Sequence, residues 1–81
     1  DKRITAKLWK LSKDYPSPHP EGVAIDLKIT TTFLAELIGA SRESVSRNLK
    51  PLLKSGLVIQ ERGTFIIPDR SKLEFYFKKD V

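Results

Sequence analysis

Thr31-Thr32-Phe33-Leu34-Ala35-Glu36-Leu37-Ile38-Gly39-Ala40-Ser41-Arg42-Glu43-Ser44-Val45-Ser46-Arg47-Asn48-Leu49 is the stretch that decides how the rest of the chain is read. Leu34, Leu37 and Ile38 recur at i, i+3 and i+4, the spacing of one helical face. Gly39 ends that helix after about two turns, because glycine accepts the left-handed backbone a helix stop requires. Ser41 then opens a second helix as its N-cap, with Val45, Leu49, Leu52 and Leu53 at i, i+4, i+7 and i+8. Counted from Thr31, a small residue falls at the fifth position (Ala35), glycine at the ninth (Gly39) and a β-branched apolar residue at the fifteenth (Val45). Ala35 lets two helices approach closely, Gly39 supplies a corner with φ > 0, and Val45 locks the second helix onto the first. That is a helix-turn-helix, although an ordinary helical hairpin sometimes carries the same spacing.

The outward face of the second helix sharpens the reading. With Val45, Leu49 and Leu52 turned inward, its N-terminal half presents Arg42, Glu43, Ser46 and Arg47. A recognition helix in a DNA major groove contacts base edges with such early residues. Arginine forks onto guanine O6 and N7 and glutamate accepts from cytosine N4, each good pair being worth about 1–3 kcal/mol of discrimination. The competing reading is a solvated helix with an i,i+4 pair from Glu43 to Arg47, worth about 0.2–0.5 kcal/mol.

Upstream, residues 1–14 read as a helix with Ile4, Leu8, Leu11 and Tyr15 stacked on one face. Trp9 lies off that stripe, and Lys2, Arg3, Lys7, Lys10 and Lys13 spread over the remaining surface. The run Tyr15-Pro16-Ser17-Pro18-His19-Pro20-Glu21-Gly22 ends the helix as a loop. Val23, Ile25, Leu27 and Ile29 then alternate with Ala24, Asp26 and Lys28, the pattern of a half-buried strand. Thr30 is placed to cap the next helix, in an incomplete capping box, since Phe33 stands where Glu or Gln would reach back.

Downstream, Pro51 removes a ladder bond and presses on the carbonyl of Arg47, which predicts a kink or an early end to the second helix. Gly56 closes that segment. Leu57–Gln60 and Thr64–Ile67 around Glu61-Arg62-Gly63 read as a hairpin. Asp69 is placed to cap a last helix carrying Leu73, Phe75, Tyr76 and Phe77, more apolar residues than one narrow stripe needs. Part of that tail is therefore expected to pack on a piece of a longer parent protein. The expected fold class is α+β: a winged helix-turn-helix with a three-helix core, a small antiparallel β wing and a C-terminal helix, forming one domain over residues 1–81.

Composition narrows the chemistry. The chain has 81 residues, 40% of them hydrophobic and 31% charged, enough for one small core and too many core formers for wholesale disorder. The absence of cysteine excludes disulfides, thiol catalysis and cysteine-bound zinc, and a single histidine excludes imidazole clusters. No apolar run approaches the ~18 residues of a membrane span. The formal net charge is +5, and residues 40–65 hold five basic side chains against two acidic ones, so over half of the excess lies near the second helix. A basic domain attracts polyanions, nucleic acid or anionic lipid.

The stretch from Ile29-Thr30 through Gly39-Ala40-Ser41-Arg42-Glu43-Ser44-Val45-Ser46-Arg47-Asn48-Leu49 resembles the helix-turn-helix of the Crp/Fnr family. These are the bacterial regulators built around the cyclic-AMP receptor protein and the fumarate–nitrate regulator. His19-Pro20-Glu21-Gly22 and the hairpin from Gly56 to Ile67 fall where that family has its connection and its wing. The resemblance implies that Glu43 and Arg47 read a G·C pair in each half of a palindrome. Arg42 matches the extra guanine-reading arginine of the cyclic-AMP branch, and Ser46 matches a serine of the fumarate–nitrate branch, a hybrid set. Asn48 and Pro51 depart from the family pattern.

Thr30, Thr31, Thr32, Ser41 and Ser44 are candidates to bond DNA phosphates, helped by the helix dipoles, or to serve as plain caps. Lys50, Lys54 and Arg62 would flank the groove. The aromatic residues Trp9, Phe33, Phe65, Phe75 and Phe77 read as core or domain-contact residues, and His19 as ordinary surface. The expected function is sequence-specific binding of double-stranded DNA by a cytoplasmic bacterial transcription regulator, with no cofactor in this domain and no membrane role. The resemblance adds a homodimeric parent and RNA polymerase as a partner. A winged-helix module that binds protein through its aromatic C-terminal helix is the alternative. An enzyme is disfavoured, because no nucleophile–base pair is in evidence and the one histidine sits in a proline-bound loop.

Overall fold

The computed structural model describes residues 2–78. They form α1 (Lys2–Asp14), β1 (Pro16–His19), β2 (Gly22–Ile25), α2 (Thr31–Ile38), α3 (Arg42–Ser55), β3 (Ile59–Glu61), β4 (Thr64–Ile67) and α4 (Arg70–Lys78). The strands make one antiparallel sheet in the order β1-β2-β4-β3. The α+β class and the helix-turn-helix followed by a wing stand as the sequence indicated, with the sheet larger than expected.

One hydrophobic cluster joins every layer. Ile4, Leu8 and Leu11 of α1, Leu34 and Ala35 of α2, Val45, Leu49 and Leu52 of α3, Phe65 and Ile67 of β4, and Leu73 of α4 are all buried in it. Tyr15 leaves the apolar stripe assigned to it. The helix ends at Asp14, the Tyr15 N–H closes the last turn on the Leu11 carbonyl at 2.8 Å, and the ring stands in solvent.

The proline-rich run is a correction. Pro16–His19 is a strand, paired with β2 in the register Pro16 to Ile25 through His19 to Gly22. The prolines tolerate this because β1 is an edge strand and they fall at alternate positions, leaving Ser17 and His19 to supply ladder donors. The Asp26 N–H donates to the Tyr15 carbonyl at 2.7 Å, extending the same odd-residue pattern. Gly22 turns the hairpin at φ +149, and a Cβ there would stand 2.6 Å from Pro68 Cα, so only glycine lets β2 pass the end of β4.

The strand expected from Val23 to Ile29 is likewise shorter. It ends at Ile25, whose carbonyl takes bonds from the Leu27 N–H at 2.8 Å and from Thr64 Oγ1 at 2.6 Å. Leu27 and Ile29 still point inward, Ile29 being buried and Leu27 packed against the core, so their alternation reports burial in an irregular segment. The first wing strand starts two residues later and ends one later than expected, at Ile59–Glu61, which leaves Arg62-Gly63 as the turn.

Pro51 lies inside α3, and the helix runs on to Ser55. The proline is exposed, so its ring sits on the outer face of the helix rather than against the core. The early end expected at this position does not occur. At the other end of the chain, α4 buries Leu73 against α1 and leaves Phe75 71% exposed, so Phe75 is not a core residue among those described. Trp9 and Phe77 meet edge to face with centroids 5.9 Å apart.

Candidate nucleic-acid interface

Three local devices aim the second helix. The Phe33 N–H donates to Thr30 Oγ1 at 3.0 Å, capping α2, and the Ser44 N–H donates to Ser41 Oγ at 3.1 Å, capping α3. Each such cap is worth about 1 kcal/mol. Between them Gly39 adopts φ +69 and ψ +38, and the Ala40 N–H reaches back to the Ala35 carbonyl at 2.9 Å. That is the left-handed corner read from the sequence. Burial of Leu34, Ala35, Val45 and Leu49 then fixes the rotation of α3 about its own axis, so its opposite face is held outward.

On that outward face Arg42, Glu43, Ser46 and Arg47 join Thr31 and Lys50 around one open groove of about 560 Å³. All four expected base-reading residues are exposed and lie together. The i,i+4 pair from Glu43 to Arg47 is not formed: among the described residues neither has a hydrogen bond or ion pair. The rim holds three cations and one carboxylate. Thr31 and Arg42 are the first residues of α2 and α3, so two helix N-termini add their positive ends to the same groove.

The remaining expected residues are placed more variously. Thr30 and Ser41 are spent as caps through their oxygens, while each hydroxyl proton stays free to donate. Thr32 is exposed beside Thr31. Ser44 is half-buried and accepts from Asn48 Nδ2 at 3.4 Å, off the groove. Lys54 lies one turn beyond Lys50, exposed but outside the groove lining. Arg62 stands at the wing tip and borders a second open groove of about 810 Å³ together with Asp26, Lys28 and Thr64.

Lys28 is the residue the sequence reading missed. A Cβ on Gly63 would lie 3.6 Å from Lys28 Cγ, so the lysine stem lies against the wing turn and its charge sits near Arg62. In the sequence it looked like the polar half of an alternating strand. Its position two residues before the Thr30 cap was the available signal.

His19 is more than plain surface. Its Nδ1 accepts from the Glu21 N–H at 3.1 Å and its Nε2 lies 3.3 Å from Glu61 Oε1. The ligand atoms of His19, Glu21 and Glu61 all fall within 4.8 Å of one another, the one grouping among the described residues with metal-ligand chemistry. With Nδ1 accepting inside the β1–β2 turn, Nε2 is left to donate to Glu61, and that one contact ties the hairpin to the wing. No helix among the described residues is long and apolar enough to cross a membrane.

The family model for the Crp-like helix-turn-helix domain matches residues 2–76. This chain belongs to that family. Its Crp-like domain is 39% identical over 56 residues to the global nitrogen regulator of Synechococcus elongatus, a match covering 69% of this chain and 25% of the relative. It is 37% identical over 71 residues to the anaerobic regulatory protein of Bacillus subtilis, covering 86% of this chain and 30% of the relative. The chain thus spans between a quarter and a third of the curated relatives it matches. Among solved structures, the fold is shared with the CO-dependent transcription factor CooA from Carboxydothermus hydrogenoformans, at TM-score 0.84 and 24% identity over 95% of this chain and 36% of that one. It is also shared with oxidised CprK in complex with o-chlorophenolacetic acid, at TM-score 0.82 and 17% identity over 95% of this chain and 32% of that one. The Crp-like domain is a DNA-binding domain of transcription regulation, and nothing in these likenesses favours the protein-binding alternative drawn from α4.

Proposed function

We propose that α3 enters the major groove of one half of a palindromic duplex and that Arg42, Glu43, Ser46 and Arg47 choose its bases. Arg47 and Glu43 address a G·C pair, Arg42 forks onto a further guanine, and Ser46 adjusts to its neighbour. Lys50, Lys54, Arg62 and Lys28, with the hydroxyls of Thr30, Thr31, Thr32, Ser41 and Ser44, hold phosphates and release counterions, which supplies affinity without sequence. The observation that carries this is the groove of Thr31, Arg42, Glu43, Ser46, Arg47 and Lys50: its polar side chains are outward, gathered and, among the described residues, unpaired, beside two helix N-termini.

The whole regulator acts as a homodimer, placing two α3 helices about 34 Å apart on the two halves of the site. It works in the cytoplasm, needs no cofactor within these residues, performs no catalysis, and meets RNA polymerase at the promoter. What supports these wider readings is the kinship with transcription regulators. Selection of bound sites from a random duplex pool, with the chain fused to a dimeriser, tests the reading. An inverted repeat with a G·C pair in each half, spaced by one turn, is the expected product. A pool that stays random after several rounds refutes it.

A further inference from the structure

A groove between α1 and the C-terminal end of α2 lies apart from the surfaces assigned to DNA. It encloses about 330 Å³ and is lined by Arg3, Ala6, Lys7, Lys10, Leu37 and Ile38, none of which borders the groove of α3 or that of the wing. Leu37 was expected in the core with Leu34. Instead it is 42% exposed, because α2 is only two turns long and this side of it faces the gap beside α1. Ala6 and Ile38 continue the apolar floor.

The wall is cationic. Arg3, Lys7 and Lys10 occupy i, i+4 and i+7, a single stripe of α1 about 10 Å long at 1.5 Å per residue. Arg3 Nη1 donates to the Ile38 carbonyl at 3.3 Å and so holds this wall against the end of α2. Lys10 meets Asp14 at 3.3 Å in a solvent-exposed pair, and Lys7 has no ion-pair partner among the described residues. Among the described residues no acidic side chain lines the groove.

We propose that this groove docks an acidic amphipathic helix of a partner protein. Carboxylates spaced i, i+4 and i+7 on that helix match the stripe of Arg3, Lys7 and Lys10 in sign and length. Its apolar seam covers Leu37, Ile38 and Ala6, in the helix-in-groove mode of recognition. Two features favour a protein over nucleic acid. The exposed Leu37 and the half-buried Ile38 beside it give a phosphate nothing to bond, whereas they reward an apolar seam. Further, α2 turns its C-terminal, carbonyl-bearing end to this groove and its N-terminal end to the groove of α3, and the negative end disfavours phosphate. The two ends of this eight-residue helix are about 12 Å apart, so partner and DNA can be held together.

The test uses a synthetic 16-residue helical peptide with a leucine seam and Glu at i, i+4 and i+7, and the same peptide with Gln at those positions. Each is titrated into the isotopically labelled chain and followed by NMR. Expected are shifts at Ala6, Lys7, Leu37 and Ile38, with the Glu peptide bound about tenfold more tightly than the Gln peptide and the difference shrinking in high salt. The double variant Lys7→Glu with Lys10→Glu loses about tenfold, and a peptide carrying Lys in place of Glu recovers it. The dispersion of the NMR spectrum shows that this variant is folded, and its affinity for a palindromic duplex stays within twofold. Lys7→Gln with Lys10→Gln serves as the milder pair. Equal binding of the Glu and Gln peptides, or shifts confined to Phe75 and its surroundings, overturns the proposal. So does a loss of duplex affinity in the folded double variant, which would assign the stripe to phosphate.

Discussion

Arg47→Ala separates base reading from charge. In the free chain Arg47 is exposed and has no partner among the described residues, so its truncation orphans nothing and stability should stay within about 0.5 kcal/mol. Two terms then remain in binding. Removing one cation near the phosphates lowers affinity on every duplex alike and reduces the slope of log affinity against log salt by at most about 0.9. Losing a fork on guanine costs about 1–3 kcal/mol at one base pair, about 5- to 150-fold, and nothing at duplexes already mutated there. The geometry adds a constraint: Arg42 and Arg47 are five residues apart on a continuous helix, about 7.5 Å, the reach of about two base-pair steps. The base pair lost with Arg47 should therefore differ from the one lost with Arg42→Ala and lie about two steps from it. Fluorescence anisotropy on a matched palindrome and on each singly mutated version measures all three quantities. An equal loss across all duplexes, or loss at the same base pair for both variants, refutes the assignment.

Lys28→Ala and Lys54→Ala should each weaken matched and random duplexes by the same factor and lower the salt slope by about 0.9. Ser41→Ala removes the acceptor of the Ser44 N–H and should cost about 1 kcal/mol of stability by urea unfolding, with α3 otherwise intact. Gly39→Ala and Gly22→Ala form a contrast. Around Gly39 a Cβ meets nothing within 4 Å and only the left-handed backbone is strained, about 1 kcal/mol, whereas Gly22→Ala also drives a methyl into the backbone of Ile67 and Pro68 and should cost about 2–3 kcal/mol. At about 4–8 °C per kcal/mol for a chain of this size, calorimetry resolves the two, and equal shifts would count against the close packing of β2 on the end of β4. Pro51→Ala restores a ladder donor toward the Arg47 carbonyl on an exposed face and should raise stability by about 1–3 kcal/mol.

What could be read directly from the chain was local. Thr30, Ser41 and Asp69 act on N–H groups two or three residues away, so the residue type and its place before an apolar period were sufficient. Gly39 belongs with them, since its φ is demanded by the corner itself. The misreadings came from rules whose penalty depends on surroundings. Prolines argue against a strand only where the missing donor faces a neighbour, and Pro16 and Pro18 lie on a sheet edge. Proline argues against a helix most strongly where the ring is buried, and Pro51 is exposed. The alternation of Val23 to Ile29 was correctly read as burial and wrongly as continuous pairing, because Thr64 and Leu27 both bond the Ile25 carbonyl and end the ladder there.

The same division explains the two faces of the molecule. Arg42, Glu43, Ser46 and Arg47 sit within six positions of one helix, so their grouping followed once Val45 and Leu49 were known to face inward. Lys28 with Arg62, His19 with Glu61, and Leu37 with Lys7 are instead separated by tens of residues, and only the sheet order and the packing of α1 bring them together. In the sequence Lys7 and Lys10 were indistinguishable from Lys2 and Lys13 as solvated charges. What selects Lys7 and Lys10 is where α2 ends, and that end is set by Gly39, the same glycine that makes the corner before α3. The one residue that aims α3 outward therefore also opens the groove beside Leu37, so lengthening α2 past this corner should move both surfaces at once.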